Sequence, residues 1–107
     1  MSQPTLSHAA TAVLQAVRQG YRHGFDVIGA TGLPSGTVYP ALRRLEEQRL
    51  VTAAWENAKL AQQSQRPPRR YYEVTALGDA ALEVALARYR MLAAPARGRA
   101  RLKPSKA

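Results

Sequence analysis

GLPSGTVYPALRRLEEQRL, from Gly32 to Leu50, is the stretch whose reading decides the fold. Val38, Ala41, Leu42 and Leu45 fall at i, i+3, i+4 and i+7, one stripe of a 3.6-residue period, which predicts an amphipathic helix. At about 100° per residue, the opposite side carries Gly36, Pro40 and Arg43, flanked by Tyr39 and Arg44. One side asks for a core; the other offers small groups near its start and cations further along. Ser35 is the expected cap, its hydroxyl accepting from a free N–H of the first turn. A start at Ser35 loses one backbone bond at Pro40, a start at Thr37 loses none, and the pattern leaves both open.

Upstream, Pro4 and Thr5 open a first helix, with Thr5 or Ser7 as cap and Gly20 as its end. Leu6, Ala9, Ala10, Val13, Leu14 and Val17 form its apolar stripe. Phe25 to Ala30 have room for about two turns before Gly32, and Phe25 and Ile28, three apart, are the expected core anchors. Three helices joined by tight glycine-bearing turns predict a helix-turn-helix, with Val38 to Gln48 as the recognition helix.

Downstream the period changes to two. Val51, Ala53 and Trp55 alternate with Thr52, Ala54 and Glu56, which reads as a strand. Arg70 to Val74 reads as a second, with Tyr72 and Val74 inward. Between them Asn57 to Pro68 is polar and aperiodic, the tip of a hairpin that carries Lys59, Arg66, Arg69 and Arg70 around Pro67 and Pro68. A basic hairpin directly after a recognition helix is a wing. Thr75 caps the last helix, expected to run to about Ala93 before Pro95 ends it. Its apolar surface holds two seams: Leu77, Ala81, Val84 and Met91, and Leu82, Ala85, Tyr89 and Leu92. One domain of this size buries one seam. The second, with Leu82, Ala85, Leu86, Tyr89 and Leu92 as contacts, is left for the same helix of a second copy.

The expected fold is therefore mainly α (α+β): a winged helix-turn-helix over residues 1–74, a C-terminal dimerisation helix over 75–94, and a disordered basic tail over 95–107. Apolar residues make up 46% of the 107, enough for one modest core. Sixteen Lys and Arg against seven Asp and Glu give +9. Five of those cations fall in residues 95–107, so the remainder still sets eleven against seven. The folded part is basic in its own right, which points to a polyanion partner. No run approaches the roughly 20 apolar residues that span a bilayer, no secretory signal opens the chain, and the absence of cysteine permits the cytoplasm.

Catalytic and metal chemistry find no support. His8 and His23 stand far apart with no cysteine or paired carboxylate beside them, and read as surface residues rather than ligands. Ser35 lies outside any nucleophile elbow, and the glycines form no phosphate-binding fingerprint. No cofactor and no metal is expected, and the chain does not read as an enzyme.

Ser35-Gly36-Thr37-Val38-Tyr39-Pro40-Ala41-Leu42, Arg44-Leu45-Glu46, Trp55-Glu56, and Arg70-Tyr71-Tyr72 with Thr75 and Gly78 together resemble the PadR-like transcriptional regulators over roughly residues 6 to 93. The resemblance implies a winged helix-turn-helix with a C-terminal dimerisation helix that binds operator DNA, usually to repress. It implies that Tyr39 belongs to the helix that enters the groove. It also implies that some members take small planar compounds at the dimer centre. The very short second helix and single C-terminal helix match the small members of the family, without a separate ligand domain. The resulting expectation is a sequence-specific homodimeric repressor on a pseudo-palindromic operator. Ser35, Gly36, Thr37, Tyr39, Pro40, Arg43 and Arg44 would read DNA, and Lys59, Arg66, Arg69 and Arg70 would hold phosphates. A candidate site for a small planar effector lies at Tyr89 and His8. The alternatives are a winged-helix module that docks protein, or one that binds RNA, without sequence-specific DNA readout.

Overall fold

The apolar stripes become seven elements: α1 (His8–Arg18), α2 (Gly24–Thr31), α3 (Ser35–Glu47), β1 (Val51–Trp55), α4 (Ala58–Gln63), β2 (Arg70–Val74) and α5 (Ala76–Ala100). The computed structural model describes residues 5–100, with side chains to residue 91. Ser7 caps α1 by accepting from the Ala10 N–H at 3.0 Å. Val13, Leu14 and Val17 of α1 then meet Val38, Leu42 and Leu45 of α3 in the core. The fold is the expected winged helix, a helical body with a two-stranded antiparallel sheet whose register pairs Val51 with Val74 and Trp55 with Arg70.

Two details of the helix-turn-helix differ from the sequence reading. Phe25 is not an anchor: it is 74% exposed, and Val27 takes its place, fully buried, beside a half-buried Ile28. The cause is Gly24. Its absent side chain lets α2 press on the Tyr39 ring so closely that a Cβ would lie 2.2 Å from Cε1. Residues 24, 27, 28 and 31 therefore turn inward, at i, i+3, i+4 and i+7, and Phe25 turns out. Ser35 is not the cap of α3 either. Extended Pro34 holds that position, with no side-chain cap bond, and its carbonyl accepts the N–H groups of Thr37 and Val38. Ser35 is the first helical residue, so Pro40 lies inside the helix and forgoes one backbone bond.

The hairpin tip is ordered where an irregular loop was expected. Asn57 Oδ1 accepts from the Lys59 N–H at 2.7 Å and starts α4, whose Ala61 is buried. Six residues with one inward methyl make too short a period to see in the sequence.

The end of α3 and the start of α5 are tied at one carbonyl. Arg49 takes a left-handed φ of 63°, which lets the Leu50 N–H reach back to Leu45 O at 2.9 Å and close α3. The Leu50 carbonyl then accepts the Thr75 N–H at 3.0 Å. The Thr75 hydroxyl donates to Arg49 O at 2.8 Å and accepts from the Gly78 N–H at 2.9 Å, capping α5 as expected. Gly78 lies so near that a Cβ there would be 2.0 Å from Leu50 O. With Gly78 held against that carbonyl, Ala81, Leu82 and Ala85 follow on the same face, all buried.

This phase reverses the seams expected of α5. Leu82 and Ala85 are not partner-facing; they belong to the chain's own core, and half-buried Leu86 and Tyr89 pack against it. The face left bare carries Leu77, Ala80, Val84, Ala87 and Met91. Nor does Pro95 end the helix, which continues to Ala100 through alanines and arginines that favour it; at that point proline removes only one backbone bond. The tail expected from residue 95 is thus helical to 100. Residues 101–107 and the Leu92 side chain lie outside the described residues.

Gly78→Ala should lower stability by about 1–3 kcal/mol, because backbone must move to admit a methyl group. A thermal melt checks this at about 4–8 °C per kcal/mol for a domain of this size. An unchanged melting temperature would show that the contact yields freely.

Candidate nucleic-acid interface

Burial of Val38, Leu42 and Leu45 fixes the rotation of α3, and so fixes what it shows outside. Ser35, Gly36, Tyr39, Pro40, Arg43 and Arg44 are exposed, and Thr37 is half-buried at their edge. All seven candidate reading residues lie on this helix, six of them exposed although α2 presses on the Tyr39 ring at Gly24. The small residues stand at its N-terminal end, where close approach to a surface is easiest, with the two arginines behind them.

The hairpin divides its cations into two kinds. Arg66 makes a two-pronged pair with Glu56, at 2.6 and 2.8 Å, and Glu56 also accepts the Arg69 N–H at 3.2 Å. These bonds, the Arg66 guanidinium first, pull the Glu56 carboxyl down to about 2. Arg70 pairs with Glu46 of α3 at 2.7 Å and lies 5.2 Å over the Trp55 ring. Both arginines were expected to hold phosphates; the structure instead uses them to brace the hairpin and tie it to α3. Arg43, Arg44, Lys59 and Arg69 carry no ion pair among the described residues.

Between α2, α3 and the hairpin lies a cleft of about 390 Å³, walled by Phe25, Tyr39 and Trp55, with Arg69 and Arg70 at its side and Tyr72 largely buried beneath. Trp55 is 66% exposed although its strand position reads as inward, because β1 runs past the edge of the core at its far end. Sequence reasoning missed this cluster: neither Phe25 nor Trp55 differs in pattern from a buried aromatic.

The histidines separate. His8 is exposed, whereas His23 is buried, contrary to the surface reading. Desolvation holds the His23 imidazole below its ordinary pKa, and Nε2 sits 3.0 Å from Asp26. His8 packs on Tyr89, with ring centroids 3.9 Å apart, and the Tyr89 hydroxyl donates to Leu6 O. This contact lies within one chain, whereas the effector site expected at Tyr89 and His8 lies between two copies. Among the described residues no group of three His, Cys, Asp or Glu is placed to hold a metal ion, and no helix is long and apolar enough to cross a membrane.

Residues 13–84 match the family model described as the transcriptional regulator PadR-like family. Among solved structures the chain is similar to a PadR family transcriptional regulator from Eggerthella lenta (25% identity over 91% of this chain and 82% of that one, TM-score 0.65). It is also similar to one from Clostridium difficile (23%, covering 80% and 91%, TM-score 0.68). A third likeness is to S. aureus MepR, solved as a DNA complex (19%, covering 91% and 75%, TM-score 0.59). No curated protein matches the chain.

Because the Glu56 carboxyl is held near 2 rather than 4.5, its contribution to the hairpin is present above about 4.5 and fades as pH falls through about 2. The Arg69 amide resonance should report that titration in an NMR pH series. Glu56→Gln should abolish it and raise amide exchange in the tip at neutral pH. A midpoint near 4.5 would show that the pair does not hold in solution.

Proposed function

We propose that this chain, which belongs to the PadR-like family of transcriptional regulators, binds a pseudo-palindromic duplex operator as a homodimer and represses transcription from it. The family is one of regulators, not of enzymes, and DNA is its partner. The observation that carries the finer reading is the outward row of α3, where Ser35, Gly36, Tyr39, Pro40, Arg43 and Arg44 stay exposed among the described residues. A major groove admits a helix, and the planar fork of Arg43 matches the two acceptors on a guanine edge. Ser35, Gly36, Thr37 and Pro40 leave room for the backbone of α3 to approach, while Tyr39 and Arg44 reach to either side. Lys59 and Arg69 serve as phosphate contacts, setting position without reading sequence. Arg66 and Arg70 support the hairpin rather than the strand. That S. aureus MepR, a chain of similar fold, has been solved on DNA supports a DNA partner. A dimer sitting on promoter DNA represses by occupying it.

For the dimer, Leu77, Ala80, Val84, Ala87 and Met91 recur at alternating steps of three and four along the bare face of α5. That is the spacing of a helix–helix seam. Leu77 is 48% exposed, Val84 60% and Met91 74%, which is unfavourable for a monomer in water. A two-fold axis along this face would present two copies of α3 to successive half-sites.

Sedimentation should show a wild-type dimer at tens of micromolar. Leu77→Asp with Val84→Asp should give a folded monomer, since each apolar side chain withdrawn from a seam forfeits about 1.5–3 kcal/mol. Leu82→Asp should instead unfold the chain. A dimer that survives the double substitution would place the interface elsewhere.

Arg43→Ala should change which base pairs are preferred, whereas Arg69→Ala should weaken all duplexes about equally and lower the salt-dependence slope by about one. Binding selections read by sequencing, with affinities at several salt concentrations, separate the two. If Arg43→Ala keeps both affinity and preference, α3 does not read bases through that residue.

A further inference from the structure

Phe25 and Trp55 remain unexplained by the core, the dimer seam or the reading row. They are 74% and 66% exposed, two of the largest apolar side chains in the protein, and they line one cleft with Tyr39. The fold around them sets where each one points. Gly24 seats α2 against Tyr39, so Phe25 points away from the core, and the Arg70 guanidinium over the indole, itself paired with Glu46, pins Trp55. Apolar surface kept exposed on rigid supports marks a contact with something outside the chain.

We infer that this cleft is the seat of one sugar–phosphate strand of the bound duplex, with Phe25 and Trp55 packing on deoxyribose and Arg69 meeting the phosphate between them. The inference rests on the DNA-binding reading above and adds to it two residues and a kind of contact. Three observations favour this occupant. The cleft is continuous with the reading row, because Tyr39 belongs to both. It lies at the junction of α3 and the hairpin, where a strand bordering an occupied groove must pass to reach the wing. It also joins apolar walls to an arginine with no ion pair among the described residues, matching a chain whose sugars offer C–H faces and whose linkers are anions. Such a contact is apolar on two sides. It adds affinity that salt does not screen, whereas a wing built from cations alone would be screened throughout.

Trp55 is the sole tryptophan, so its emission reports on the cleft directly. Adding a fluorescein-labelled duplex should raise anisotropy and shift Trp55 emission over the same concentration range. Phe25→Ala should weaken operator and random duplex alike by about tenfold with the salt slope unchanged, and Phe25→Leu should recover most of the loss. Circular dichroism confirms that both variants fold. Three results would overturn the proposal: Phe25→Ala binding like wild type, a fall in the salt slope in that variant, or anisotropy that rises while Trp55 emission stays still. Emission that answers to sodium benzoate and not to duplex would also overturn it, assigning the cleft to a small molecule. A wild-type protein that raises no anisotropy with any duplex would overturn the DNA-binding reading itself, and this strand contact with it.

Discussion

The rest of the structure depends on how closely α5 approaches the carbonyl of Leu50. Four elements meet there: α3 ends, β1 begins, β2 ends and α5 starts within a few residues. One oxygen accepts from Thr75, and Gly78 lies against it with no room for a side chain. A long helix with apolar residues on two sides could settle on either. Turning α5 by one residue, about 100°, would drive Leu77 or Asp79 into that oxygen. The contact therefore decides which seam becomes core and which stays outside. Arg18 then reaches across from α1 to Glu83 at 2.7 Å and to Asp79, holding the same rotation from the opposite edge.

Much of this was legible. The stripes of α1 and α3, the alternation of β1 and β2, and the Thr75 cap are local patterns, and a local pattern survives folding when nothing distant competes with it. The failures share a cause. Phe25 and Val27 are equally apolar, and only the absence of a side chain at Gly24, pressed on a tyrosine fifteen positions along, chooses between them. The two seams of α5 have the same periodicity, and Gly78 chooses between those in the same way. In both places a glycine read as a turn or motif residue sets the phase of a helix. α4 escaped notice because a single cap and one buried alanine leave little trace. The continuation past Pro95 shows that proline near the end of an alanine-rich helix is a small penalty rather than a stop.

The exposed row of α3 was legible because its inward and outward rows are complementary: knowing one gives the other. The wing was less so. Its cations can be counted in the sequence, but their partners cannot, since Glu56 and Glu46 stand ten and twenty-four residues from the arginines they engage. A charge already answered by a carboxylate is a brace. One that is not remains available to a phosphate. That distinction takes Arg66 and Arg70 out of the candidate contact surface and leaves Lys59 and Arg69, with the aromatics between hairpin and helix as the part that composition could not reveal.

The contact at Leu6 bears on when the domain can form during synthesis. Its carbonyl is held by the Tyr89 hydroxyl and by Arg88, groups made more than eighty residues later, and His8 stacks on the same tyrosine. Helices α1 to α3 can associate as they leave the ribosome, because their contacts are near neighbours in the chain. The beginning of α1 cannot be completed until most of α5 has emerged. Until then Leu6 and the part of the first helix that α5 covers stay open to solvent, and the nascent chain carries unfinished apolar surface there. Closure comes late and joins the start of α1 to α5.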